Sequence, residues 1–86
     1  MKRSKLEMYV DILIVLSHRG PLNLTHVMYE ANVNCSVLKD YIDFLTKQGL
    51  IEERSVGKHR VVFAVTQRGL NVLKYFKELK QVLPIC

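Results

Sequence analysis

Four side chains that carry, or can acquire, positive charge lie within seven residues in the second half of the sequence: Arg54, Lys58, His59 and Arg60. Such groups neutralise phosphates, and Gly57 among them is typical of an exposed turn. We therefore predict that these four side chains contact phosphate groups of a polyanion. The same residue types also mark the tip of an ordinary soluble hairpin, so the motif alone leaves both interpretations open.

A second set of polar residues has the spacing of one helix face. It consists of Ser36, Lys39, Asp40, Asp43 and Lys47, and Asn34 precedes it in the turn before the helix. Lysine contacts phosphate or guanine, serine and asparagine contact phosphate or base edges, and aspartate accepts from the cytosine amino group. We predict that this face reads DNA. In the alternative, the aspartates pair with Lys39 and Lys47 on a solvated surface.

The N-terminus adds three cations, Lys2, Arg3 and Lys5, which we predict to be a phosphate-neutralising arm. The chain of 86 residues has a net charge of +5, which favours a polyanionic partner. An apolar stretch follows the arm, but Glu7 and Asp11 interrupt it, so we expect neither a signal peptide nor a membrane helix. The predicted location is the cytoplasm.

Residue patterns typical of catalysis or metal binding are missing from the sequence. It has two cysteines outside any CxxC pair, three scattered histidines and no glycine-rich phosphate loop. We expect no enzyme activity, no metal and no cofactor, and nothing marks a small-molecule effector.

Three helices are predicted ahead of the cationic turn. The first begins at a Ser4–Glu7 capping box and stops at Gly20-Pro21, the second runs from about Leu24 to Ala31, and the third runs from about Cys35 to Gln48. Gly49 ends the third helix.

The pattern then changes to that of a hairpin followed by a helix. Leu50–Val56 and Arg60–Val65 are predicted strands joined by a Gly57-Lys58 turn, and Thr66 caps a last helix over about Gln67–Val82. Three helices, a hairpin and a helix form an α+β, mainly α, winged helix-turn-helix. We assign residues 1–66 to a DNA-binding core and residues 67–86 to a dimerisation helix packed on it.

The last helix carries an apolar stripe. Val72, Phe76, Leu79 and Leu83 follow steps of four, three and four, the spacing of a two-helix seam, whereas Leu70 and Leu73 are expected to enter the core. Helix one has a second apolar face, at Val10 and Ile14, that also needs a cover. We predict a homodimer interface from these six seam and helix-one residues. Alternatively, the stripe covers only helix one of its own chain.

Four segments of the sequence resemble those of known proteins. Gly49-Leu50-Ile51 and Phe63-Ala64-Val65-Thr66-Gln67-Arg68-Gly69 are similar to the "G-L-I … Y-x-L-T-x-K-G" signature of archaeal winged-helix regulators, with Phe63 in place of Tyr. Arg3–Glu7 is similar to the start of helix one in those regulators, and Val27–Asn32 resembles helix two of small archaeal winged-helix chromatin proteins. The resemblance implies DNA binding and dimerisation through a C-terminal coiled-coil helix.

These observations lead to one functional expectation with two alternatives. We expect a dimeric transcription regulator that binds double-stranded DNA reversibly, without chemistry. A general chromatin-type coating protein and a protein-binding adaptor remain as the alternatives, the second because of Asp40 and Asp43.

Overall fold

The computed structural model describes residues 3–83, and so the predicted contact at Lys2 lies outside the described residues. This part of the chain folds in the predicted order: α1 (Lys5–Arg19), α2 (Leu24–Ala31), α3 (Cys35–Lys47), β1 (Ile51–Val56), β2 (Arg60–Val65) and α4 (Gln67–Val82). The α+β, mainly α, winged helix-turn-helix prediction is confirmed.

Local side-chain caps set the helix boundaries. At the start of α1, the Ser4 hydroxyl accepts from the Glu7 amide, and the Glu7 carboxylate accepts from the Ser4 amide at 2.9 Å. The Ser4 amide therefore lowers the pKa of Glu7. Asn23 and Thr66 cap α2 and α4 in the same way, each through its side-chain oxygen. The predicted capping box is thus confirmed.

Backbone geometry makes the turn between α2 and α3 tight. Asn32 has the left-handed φ of 53° that asparagine tolerates, and Asn34 then caps α3 by accepting from the Ser36 amide at 2.9 Å. This short turn fixes the direction in which α3 leaves the core.

The hairpin differs from the prediction at its turn. Val56 pairs with Arg60, so the turn contains the three residues Gly57, Lys58 and His59 rather than two. Gly57, the first turn residue, has a left-handed φ of 72°, which glycine adopts without steric cost. The three turn residues and both flanking residues are exposed.

A backbone contact attaches the hairpin to the helices. Leu22, between α1 and α2, pairs with Phe63 through two hydrogen bonds of 3.0 and 2.7 Å. The pairing places the start of α2 beside β2 and so determines where the wing lies.

The core lies where α1, α2, α3 and the base of the hairpin meet. Its largest fully buried side chains are Ile12, Leu13, Leu16, Val27, Leu38, Leu45 and Ile51. The inward apolar stripe of α3 is buried and consists of Leu38, Tyr41, Ile42 and Leu45. Tyr9 of α1 stacks on Phe44 of α3 with ring centroids 4.8 Å apart. These contacts hold α3 so that its opposite face points away from the protein.

Leu73 of α4 enters the core as predicted, but Leu70 is 39% exposed, so that part of the prediction was wrong. Gly69 is the buried residue of the first turn of α4. Among the helices of residues 3–83, none combines the length and hydropathy that crossing a bilayer requires.

Candidate nucleic-acid interface

The outward face of α3 is polar and uncovered. Ser36, Lys39, Asp40, Asp43 and Lys47 are all exposed, whereas the apolar stripe behind them is buried. The ion pairs found within residues 3–83 join Arg3 to Asp11, Arg19 to Glu30 and Arg54 to Glu52, so none lies on this face. The side chains that sequence reasoning proposed for base contacts are therefore available to a ligand.

Asn34 has a different position from the others. Its carboxamide oxygen caps α3, so this atom is occupied by the Ser36 amide. A DNA contact by Asn34 would have to use its amide nitrogen.

The four predicted wing cations are exposed. The β1–β2 register places Arg54 opposite Val62, and Arg60 opposite Val56, so both arginines lie on one face of the hairpin. Arg54 is 3.4 Å from Glu52, an exposed pair of small energetic value. Lys58 and His59 stand in the turn, and so positive charge concentrates at the tip.

A groove joins the α3 face to the hairpin. Lys39, Asp43 and Lys47 line it from α3, and Glu53 and Phe63 line it from the strands. The structure thus brings three predicted site residues together with one that was missed, Glu53. Alternate residues of a strand lie on the same face, so Glu53 could have been assigned to the face of β1 that lines the groove. That assignment needs the register of the hairpin, in which Glu53 lies opposite Phe63.

The Arg3 side chain binds other residues of its own chain. Its guanidinium lies 2.6 Å from the Asp11 carboxylate, donates to the Ala31 carbonyl at 2.9 Å and also donates to the Asn32 carbonyl. The last carbonyls of a helix lack partners within the helix, and a cation there also interacts favourably with the helix dipole. Arg3 therefore fastens the end of α2 to α1, and we do not include it in the proposed DNA surface. Lys5, by contrast, is exposed.

We predict that Arg3→Ala lowers the free energy of unfolding by about 1–3 kcal/mol, because it leaves two helix-end carbonyls and Asp11 without their donor. Urea denaturation measures this. Lys5→Ala is the matched control, since it removes one charge from the same segment. Equal stability of the two variants would contradict the assignment.

The residues predicted for the homodimer interface are not all exposed. Val10 is only 5% exposed, and Ile14 and Phe76 pack against the core of their own chain. Two exposed residues that were not predicted, Tyr75 (69%) and Val82 (79%), lie on the outer side instead. The interface proposed from the sequence therefore moves away from Val10, Ile14 and Phe76.

Exposed apolar residues of α4 still have the spacing of a two-helix seam. Val72, Tyr75, Leu79 and Val82 follow steps of three, four and three, and Leu83 extends the same side. We call Val72, Tyr75, Leu79 and Val82 the α4 stripe. Its spacing was visible in the sequence, but a second apolar spacing through Phe76 overlaps it, and only packing separates the two.

A tight-turn pair of helices followed by an exposed wing defines the class of winged helix-turn-helix proteins. The chain belongs to the winged helix-turn-helix family, whose sequence profile matches residues 2–83.

Individual relatives agree with this membership. The uncharacterized protein MJ0287 of Methanocaldococcus jannaschii is 30% identical over 82 residues, covering 95% of this chain and 78% of that protein. The structure of Sso10a-2, a DNA-binding protein from Sulfolobus solfataricus, superposes with a TM-score of 0.79 at 25% identity, covering 93% and 81% of the two chains.

Larger proteins share only part of their length with this chain. RV1404 from Mycobacterium tuberculosis superposes with a TM-score of 0.79 at 26% identity, covering 87% of this chain and 52% of its own. A MarR family transcriptional regulator from Silicibacter pomeroyi has a TM-score of 0.78 at 20% identity, covering 88% and 52%, which shows a shared fold. This chain spans about half the length of these two proteins.

Proposed function

We propose that the protein is a homodimeric regulator that binds double-stranded DNA through α3 and the wing. The observation that carries this proposal is that the polar face of α3 and the cationic tip of the wing are both exposed. A helix fits the major groove of B-DNA, and in this proposal Ser36 and Lys39, near the start of α3, reach base edges. The wing cations then contact phosphates beside that groove. The Sso10a-2 likeness supports the proposal, since that protein is described as DNA-binding.

The charges of α3 and of the wing suit different roles in the proposed DNA binding. The α3 face mixes Lys39 and Lys47 with Asp40 and Asp43, so it attracts phosphates weakly. Net attraction to the backbone comes from the wing tip. We infer that the wing supplies affinity and that α3 supplies discrimination between sequences, with the aspartates accepting from cytosine amino groups.

Salt dependence tests the proposal directly. With three to four phosphates neutralised per subunit, affinity should fall by about 0.9 log unit per phosphate for each log unit of salt. Fluorescence anisotropy with a labelled duplex, titrated at several salt concentrations, measures the slope. Absence of any salt-dependent duplex binding would refute the proposed function.

The α4 stripe supports the dimer. Its four exposed apolar residues have the heptad spacing of a two-helix seam, and a small chain gains stability by covering them with a second copy. In this arrangement residues 1–66 form the DNA-binding core and residues 67–86 carry the dimerisation helix. Two-fold symmetry would place the α3 helices at half-sites about 10–10.5 base pairs apart.

We predict that Leu79→Glu converts the dimer to a monomer, because it places a charge in the centre of the seam. Analytical ultracentrifugation measures the change. Gln81→Glu is the control, since it introduces the same carboxylate on the same helix outside the α4 stripe. If both variants sediment like the wild type, the seam is elsewhere.

One observation favours a second function. Asp43 and Glu53 line the groove between α3 and the wing, where they would repel phosphates. A protein-binding adaptor with a basic partner segment would use these carboxylates. Selection from random duplex DNA separates the possibilities: a motif indicates a specific regulator, binding without a motif indicates a coating protein, and no recovery favours the adaptor.

A further inference from the structure

A cleft between the first turn of α2 and the tip of the wing contains a histidine from α2 and a histidine and an arginine from the wing. Asn23, Thr25 and His26 line it from α2, and His59 and Arg60 line it from the wing. None of the described residues that line this cleft is acidic, whereas Asp43 and Glu53 line the α3 groove. The cleft is therefore the more anion-attracting of the two depressions beside the wing.

Backbone pairing places the two walls of the cleft together. Leu22 and Phe63 pair in antiparallel directions, so the residues after Leu22 run beside those that precede Phe63. His26 at the start of α2 thereby faces the region of His59 and Arg60 at the start of β2. The arrangement depends on two backbone hydrogen bonds and not on the position of one flexible side chain.

The charged groups around His26 leave it without a nearby free carboxylate. Glu30, one turn further along α2, is bound to Arg19 at 3.0 Å. On the wing, Glu52 is next to Arg54, and Lys58 adds another cation in the turn. The first turn of α2 has no acidic residue, and the positive end of the helix dipole favours an anion at this position.

We propose that this cleft binds one backbone phosphate of duplex DNA between His26, His59 and Arg60, and that protonation of the two histidines strengthens the binding. The inference rests on the proposed function, since the phosphate belongs to the same duplex that α3 contacts. Histidine gains its proton between pH 8 and 5, whereas arginine stays charged throughout. Each proton adds positive charge beside the phosphate, so affinity for DNA rises as the pH falls.

The test compares duplex affinity at about pH 8 and about pH 6, at constant ionic strength, for the wild type and three variants. His26→Gln and His59→Gln each remove one titrating group from the cleft, and His18→Gln is the matched control, because His18 is exposed at the end of α1 outside the cleft. We expect wild-type affinity to rise by about tenfold at the lower pH, the size of one charge-assisted hydrogen bond. Each cleft variant should lose about half of that gain on a logarithmic scale, about threefold, because the other histidine remains, and His18→Gln should keep the full gain.

The outcomes separate the two proposals. A wild type that binds no duplex at either pH overturns both. Duplex binding without the gain at low pH, or an equal loss of the gain in His18→Gln, overturns the cleft proposal alone. Excess inorganic phosphate at the same ionic strength should leave the gain intact. Loss of the gain would assign the cleft to free phosphate and would also overturn the proposal.

Discussion

Lys58→Glu combined with Arg60→Glu should lower the affinity for duplex DNA by at least about 100-fold. Both side chains are exposed at the wing tip, and the proposed contacts are charge-assisted bonds to phosphates, which the new carboxylates would repel. The salt slope should decrease by about 1.8 per subunit, because two phosphate contacts are lost at about 0.9 each. Anisotropy titrations at several salt concentrations give both quantities.

The matched control reverses two charges elsewhere. Lys74→Glu with Lys77→Glu makes the same change in net charge on the solvent side of α4, away from both the wing and the α4 stripe. We expect this variant to bind with nearly unchanged salt slope. If the two double variants lose affinity equally, binding follows overall charge and the wing has no special role. If the wing variant binds DNA normally, the wing does not supply the affinity proposed for it.

Gly69→Ala should reduce the free energy of unfolding by about 3 kcal/mol or more. A Cβ at this position would lie 2.2 Å from the Leu50 carbonyl oxygen and 2.7 Å from Val65 Cγ2. The carbonyl has no freedom to move away, because it accepts from the Thr66 amide at 3.0 Å. The first turn of α4 would have to separate from the end of α3, which displaces the base of the wing.

Thermal unfolding by circular dichroism measures the effect, and a loss of this size lowers Tm by more than about 10 °C for a domain of this length. Gly57→Ala is the control. Gly57 has a φ of 72° but no atom within 4 Å of its added Cβ, so its cost is the conformational penalty alone, about 1–2 kcal/mol. A Gly69→Ala variant as stable as the wild type would show that the backbone approach is looser than described.

Local signals were sufficient to predict the helices. Ser4 with Glu7, Asn34 and Thr66 satisfy backbone amides within three residues of themselves, so the sequence alone locates the helix starts. The hairpin was recoverable for a similar reason, since strand spacing and Gly57 are local features. Its turn length was not, because a two-residue and a three-residue turn differ only in register.

The motif that resembles the archaeal regulators proves to be one structural corner. The Thr66 hydroxyl donates to the Gly49 carbonyl at 2.6 Å and accepts from the Gly69 amide at 3.1 Å, and Gly69 in turn approaches Leu50. The two halves of the motif, separated in sequence by the wing, therefore meet. Their residue types are explained by the fold, and the motif by itself says little about which DNA is bound.

The sequence by itself determined the order of the elements, the caps, the inward stripe of α3 and the cationic wing tip, because each depends on neighbours a few residues away. Tertiary structure decided the roles of residues that contact distant parts of the chain. Arg3 satisfies helix-end carbonyls 28 and 29 residues away, so its charge is used internally. Phe76 and Tyr75 are adjacent, yet Phe76 packs on the core and Tyr75 faces solvent. Two apolar spacings overlap along α4, and the docking of α4 on α1 determines which of them is covered.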